Sequence, residues 1–282
     1  MIMRNILQTG FAAAVALGLG MAPSVANAAI DFTGSSGSLA AKVTFDVLPG
    51  SFLQVTLTNT SSFKSLVPAD ILTGVFFSGL PSLTNGGAGD TAVVGAGGTV
   101  IQVGNNNPGL TTLASLPTIG GKYNVGGEWA FNTVGGLPGS ATKGFSSSGL
   151  GVFGGANLNG PDLQSPTALD GMQYGIVSAS TNDGDGNGGM DSHALIRNSV
   201  VFTMSNYTGG AAGLSSIGNL SFQYGTNLSE PNIRSSSSGC ANGAMNFPIC
   251  SFVTIEVPEP MSMAILGVGL AGLGVVRRRR AA

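Results

Sequence analysis

Apolar and polar residues alternate with a period of two in several short runs of this chain, and that period commits it to strands. In Val43-Thr44-Phe45-Asp46-Val47 every second residue is apolar, and Leu53, Val55 and Leu57 alternate with Gln54, Thr56 and Thr58. Successive side chains of a strand point to opposite faces, so each run can bury one face and wet the other. Leu48-Pro49-Gly50-Ser51 between the two runs carries turn residues, which predicts a hairpin. The pattern recurs at Val200-Phe202-Met204, at Leu220-Phe222-Tyr224 and at Val253-Ile255-Val257. Ile71 to Phe77, Glu128 to Phe131 and Gln173 to Val177 are further expected strands. No stretch between the two termini carries a helical period. The expected class is all-β, with strands buried on one face packing as a β-sandwich or jelly roll.

Between these runs, Asn85 to Gly98, Asn105 to Leu116 and Gly135 to Gly160 are rich in small and turn-forming residues, and are expected to be long surface loops. No repeat of fixed period signals a solenoid. Charged residues are 9% of the chain, too few for a disordered tail of the charge-rich kind.

Both ends are targeting segments. Arg4, the apolar run Ile6 to Met21 and the small-residue site Ala26-Asn27-Ala28 make residues 1–28 a secretory signal peptide, so the mature chain should begin at Ala29. From Met261 to Val276 no residue is charged, which predicts a single membrane helix of about 24 Å at roughly 1.5 Å per residue. Arg277, Arg278, Arg279 and Arg280 follow it and orient it with the C-terminus in the cytoplasm. Residues 29–256 are then an exported domain. Of eleven bases, five (Arg4 and the four terminal arginines) lie in the targeting segments, leaving six against twelve acids once Glu259 is set aside. A net charge near −6 argues against nucleic acid as a partner. Gly267 to Gly272 fits a dinucleotide fingerprint by spacing alone, and without a preceding strand its glycines read as small residues of a membrane helix.

Pro258-Glu259-Pro260 stands just outside the expected helix, extended and unable to pair or wind. The order Val-Pro-Glu-Pro, short apolar helix, arginine cluster resembles the PEP-CTERM sorting signal of Gram-negative bacteria, over residues 257–282. That resemblance implies recognition at Pro258, Glu259 and Pro260 by an exosortase, a membrane-embedded cysteine protease or transpeptidase, after transient anchoring in the inner membrane. Signal peptidase is the partner at the other end. The phrases LTNTS (57–61), ILTGVFF (71–77), GGEWAF (126–131), GPDLQSPTALDGMQYGI (160–176) and SFQYGTNLSEP (221–231) are similar to an extracellular domain of other PEP-CTERM cargo, to which no reaction is attached.

Within the exported part, Cys240 and Cys250 are the two cysteines, and in an oxidising compartment they are expected to form a disulfide worth about 2–3 kcal/mol. A zinc pair fares worse, because His193 is the one histidine in the chain. Asp183, Asp185, Asn187 and Asp191 stand at positions 1, 3, 5 and 9 of a run with Gly188 at 6, as in a calcium loop. Ala194 occupies position 12, where such loops carry a bidentate Glu, so a flexible acidic turn is the competing reading. Glu128, Asp162 and Asp170 are the acids a glycosidase would draw on, and Trp129, Tyr123, Tyr174 and Tyr224 the aromatics a sugar site would. No nucleophile elbow or zinc-protease motif is present. The expected function is that of an exosortase-processed surface or extracellular protein, not an enzyme, serving as a structural or adhesive component of an exopolysaccharide or biofilm matrix. A carbohydrate-binding module is the first alternative and a polysaccharide-active enzyme the second.

Overall fold

The structure, a computed structural model, describes residues 28–102, 116–153, 157–164, 169, 171–191 and 193–236. In chain order the strands are β1 (Ala28–Ser36), β2 (Leu39–Leu48), β3 (Phe52–Asn59), β4 (Leu72–Ser78), β5 (Thr91–Val94), β6 (Thr99–Gln102), β7 (Thr118–Ile119) and β8 (Lys122–Tyr123). They continue with β9 (Ala130–Asn132), β10 (Lys143–Ser146), β11 (Ile176–Val177), β12 (Ala194–Arg197), β13 (Ser199–Met204), β14 (Gly218–Tyr224) and β15 (Asn232–Arg234). Two short helices, α1 (Leu150–Phe153) and α2 (Gly210–Leu214), accompany them. The protein is mostly strand, in several largely antiparallel sheets.

The first sheet has the order β1-β2-β3-β13-β5, antiparallel throughout. The expected hairpin is its centre: β2 and β3 pair from Leu48↔Phe52 to Ala41↔Asn59, and the turn between them takes Gly50 to φ 83° and Ser51 to φ 64°. Glycine meets the first of these left-handed conformations without steric cost. Leu53, Val55 and Leu57 are fully buried while Gln54, Thr56 and Thr58 are half-buried, the alternation read from the sequence.

The second sheet runs β15-β14-β4-β11-β12-β6, with β10 on β4 and β9 on β10. Its pairs are antiparallel apart from β11 with β12, where Ile176 faces Ile196 in parallel. β4 is buried on both faces from Leu72 to Phe77. Val75 and Phe77 join the core shared with the first sheet, whereas Phe76 packs on the other side with Ala130, Leu137, Ala141, Phe153 and Leu169. A third cluster, including Ile71, Ile101 and Leu195, is closed by Met190.

Aromatic contacts carry the junction between the two sheets. Phe45 of the first meets Phe77 of the second edge-on at 5.1 Å, and Phe145 of the second stacks on Phe202 of the first at 4.3 Å. Trp129 closes on Phe202 at 5.1 Å. Each such pair adds about 0.5–1.5 kcal/mol beyond its buried area. Polar ties reinforce it: Tyr224 Oη donates to the Ala40 carbonyl at 2.8 Å, and buried Asn59 donates through Nδ2 to the Ile176 carbonyl at 2.9 Å. Between β12 of the second sheet and β13 of the first, the connection is the single residue Asn198, whose φ is 81°. Asparagine is among the few side chains that tolerate this region.

Three expectations are corrected. The stretch Asn85 to Gly98 contains β5, and Gly135 to Gly160 contains β10 and α1, so neither is simply a loop. Glu128 is not in a strand: Gly126–Glu128 is a 3-10 turn that feeds β9. Of Gln173 to Val177, only Ile176 and Val177 pair as a strand. The expected strand at Val253 to Val257 and the expected membrane helix lie outside the described residues, among which no helix is long and apolar enough to cross a membrane.

Candidate functional site

Two places gather the residues that chemistry would draw on. At the first, Asp183 to Asp191 forms a surface loop seated on residues 63–68. The oxygens of Asp183, Asp185 and Asn187 are drawn to different donors. Asp183 Oδ1 accepts from the Gln102 N–H at 3.0 Å, at the end of β6. Asp185 accepts from the Asn182 N–H at 2.7 Å through Oδ2 and meets Lys64 Nζ at 3.0 Å through Oδ1. The Asn182 N–H first, and then Lys64, hold the Asp185 carboxyl below the usual carboxylate range. Asn187 Oδ1 accepts from the Gly189 N–H at 3.0 Å, and Asp191 is exposed. Among the described residues, no group of three or more His, Cys, Asp and Glu side chains is placed to hold a metal ion. A calcium ion needs six or more oxygens converging on one point, and here Asp183 Oδ1, both Asp185 oxygens and Asn187 Oδ1 are engaged in hydrogen bonds and one ion pair. Met190, fully buried, pins the loop to the core, and the Asn187 N–H donates to the Leu66 carbonyl at 2.9 Å. Beside it Phe63 and Leu66 are 66% and 46% exposed, an apolar surface that the sequence reading did not single out.

The second place is the corner built on Gly126-Gly127-Glu128-Trp129. The chain at 157–164 crosses it so closely that a Cβ on Gly127 would stand 1.9 Å from the Pro161 carbonyl oxygen. Glu128, only 3% exposed, accepts through Oε1 from the Leu163 N–H at 2.5 Å and the Gln164 N–H at 3.0 Å. Gln164 Oε1 accepts in turn from the Ala194 N–H at 3.2 Å. Trp129 Nε1 donates to the Tyr174 carbonyl at 3.0 Å, and the Tyr174 N–H donates to the Ala194 carbonyl at 2.7 Å. These two bonds hold Tyr174 at φ 53°, an uncommon conformation for a bulky residue. Burial first, then the negative charges of Glu128 and Asp162, push the Tyr174 hydroxyl well above its ordinary pKa.

The structure therefore brings Glu128 and Asp162 to one neighbourhood, while Asp170 lies outside the described residues. The Glu128 carboxylate is buried and engaged with backbone, so it acts here as a clamp on the 157–164 segment. Trp129, Tyr174 and Tyr224 have all but lost their exposure, so none of these three offers a sugar ring an open face, and Tyr123 is half-buried against the core. His193 is half-buried directly after the loop, its N–H directed at the Met190 carbonyl at 3.4 Å.

The remaining expected site residues lie elsewhere. Ala26, Cys240, Cys250, Pro258, Glu259, Pro260 and Arg277 to Arg280 are outside the described residues, and Ala28 is the first residue of β1. For the C-terminal stretch, comparison with protein families is decisive: residues 256–280 match the PEP-CTERM protein-sorting motif. That motif implies a protein exported with a C-terminal membrane-anchoring sorting signal and processed by an exosortase. No curated protein and no solved structure matches the chain.

Proposed function

We propose that the protein is a non-enzymatic passenger of this sorting route: an exported β-sandwich that exosortase frees from its tail and that then serves as a structural or adhesive component of an extracellular polysaccharide or biofilm matrix. The observation that carries the reading is the joining of a sorting motif at 256–280 to a β-rich domain that buries Trp129, Tyr174 and Tyr224 in its own core. Two sheets sharing one aromatic core support the sandwich description. The use of Glu128 as a backbone clamp supports a non-catalytic role for the acid best placed to be nominated.

A matrix component of this kind is retained by cohesion with the matrix and needs no sugar-stacking cleft. The test is co-sedimentation of the naturally processed protein with the polysaccharide of the producing cell, in parallel with its recovery from intact matrix. Retention in the matrix with no saturable binding to the purified polysaccharide is the expected result. Saturable binding that free oligosaccharide competes away would instead make it a carbohydrate-binding module, and glycan turnover lost on single carboxylate substitutions would make it an enzyme.

A further inference from the structure

The outer face of the first sheet carries an acid without a partner. Asp46 lies on β2 between Phe45, which faces the core, and Val47, so its side chain belongs to the solvent-side row with Lys42 and Thr44. Its Oδ1 is nonetheless buried and receives no hydrogen bond among the described residues. Burial raises its carboxyl above the ordinary value, and no cation opposes that shift. Lysine and arginine are not what the sheet places beside it. On β3 the residue opposite is Gln54, and on β13 the next across is Thr203. On β1 the residue opposite is Ala29, and α2, which also approaches β1 and β2, has no titratable side chain. The charged groups on the same face are Asp31 and Lys42, and they are occupied with each other at 2.7 Å, with Thr44 Oγ1 donating to Asp31 at 2.6 Å.

Ala29 is also the residue at which the mature chain is expected to begin. We propose that removal of the signal peptide supplies the missing partner: the α-ammonium group created at Ala29 pairs with Asp46 across the β1–β2 ladder, so that export processing locks the first strand. The proposal rests on the reading that cleavage falls between Ala28 and Ala29. Signal peptidase adds water across that peptide bond, leaving the carboxylate on Ala28 and the ammonium on Ala29. Before the cut the nitrogen of Ala29 is an amide, with one proton and no charge. Afterwards it carries three protons and a positive charge on a residue whose Cα is the cross-strand neighbour of Asp46, about 4.5–5.5 Å away as in any antiparallel pair. In the ladder the Ala29 N–H is directed away from β2, as the Thr33 carbonyl is, so the new ammonium meets the Asp46 carboxylate by rotation of Ala29, which as a chain terminus is free to turn. β1 is the edge strand of its sheet, held by β2 on one side, so a bond at its first mature residue opposes fraying where fraying would start.

The sign of the pH dependence follows. Pairing raises the folded-state pKa of the α-amine above its unfolded value of about 8, so its contribution is complete below about pH 8 and is lost as pH rises through the folded value. At the acid end the pair fails as the Asp46 carboxyl takes up a proton.

The test uses the processed protein recovered from the producing cells. Its N-terminus is read by mass spectrometry, and its α-amine is left free or selectively acetylated at about pH 6.5, where lysines are protected by their higher pKa. Acetylation rebuilds the uncharged amide at Ala29. The expected result is a fall in the melting midpoint of about 2 °C near neutral pH. That difference closes above about pH 9. Asp46→Asn abolishes it, while Asp31→Asn leaves it in place. If the asparagine variant fails to fold, the acetylation arm alone still decides. Equal midpoints for the free and acetylated forms of a chain that begins at Ala29 overturn the proposal and leave the cleavage reading intact. A natural N-terminus at any other residue overturns both.

Discussion

The two large sheets differ in what covers their outer faces, and that difference explains most of how the chain folds. The first sheet buries one face only along β2 and β3. Along β3 the inward residues are fully buried and Gln54, Thr56 and Thr58 opposite them are half-buried, so its sequence alternates cleanly. In the second sheet β4 is buried on both faces, because residues flanking β10, among them Leu137, Ala141 and Phe153, cover its outer side and stack Phe153 on Phe76 at 6.0 Å. A sheet covered twice gains core but loses the two-residue signature, and its short strands depend on segments distant in sequence.

Substitutions on the two outer faces sharpen this contrast. Phe76→Ala empties a fully buried position on the covered face and should cost about 3–5 kcal/mol in chemical denaturation, whereas Gln54→Ala on the open face should stay within about 0.5 kcal/mol. Comparable losses at the two sites would break the comparison. Glu128→Ala comes next. It removes the acceptor shared by the Leu163 and Gln164 N–H groups and should destabilise by about 1–3 kcal/mol, with faster amide exchange at those two residues than at β3. Unchanged exchange there would mean that Glu128 does not clamp the segment.

The smallest effect belongs to Asp185. Its carboxyl is held low by the Asn182 N–H and Lys64, so it contributes stability that is present above the unfolded pKa and is lost as pH falls through the lower folded value. Lys64 is exposed and Asp185 half-buried, so the pair is open to solvent, and Lys64→Ala should therefore change the melting midpoint by about 1 °C or less at neutral pH. Carboxyl titration by NMR should show the Asp185 pKa moving up in that variant. A midpoint shift of several degrees would make the 183–191 loop a structural hub, and a pKa left unmoved would remove the Lys64 pair from the account.

Strands β2, β3, β13 and β14 were legible because each presents an alternating apolar face to one shared core. β5 and β10 were not. Thr91-Ala92-Val93-Val94 and Lys143-Gly144-Phe145-Ser146 are four residues long, buried with little alternation, and embedded in Gly/Ser-rich sequence that reads as loop. Glu128 misled for another reason: aromatic and apolar neighbours suggest a strand, but the backbone turns tightly at Gly126 and Gly127 to let 157–164 cross. The sorting signal could be read directly, since its proline-flanked acid, apolar run and arginines are consecutive. The spacing of Asp183 to Asp191 suggested calcium, yet which donor each oxygen faces depends on Gln102 and Lys64, remote in sequence. The solitary Asp46 was invisible for the same cause, because only strand pairing shows that its neighbour across the ladder is Ala29.

The central claim is that the β-rich domain travels as cargo on a removable tail, and intact mass measurement of the protein at the cell surface tests it most directly. In exosortase-proficient cells the account predicts a chain that starts at Ala29 and has lost Arg277 to Arg280, and in exosortase-deficient cells a chain that keeps them. The same arginine-bearing mass from both strains would contradict it.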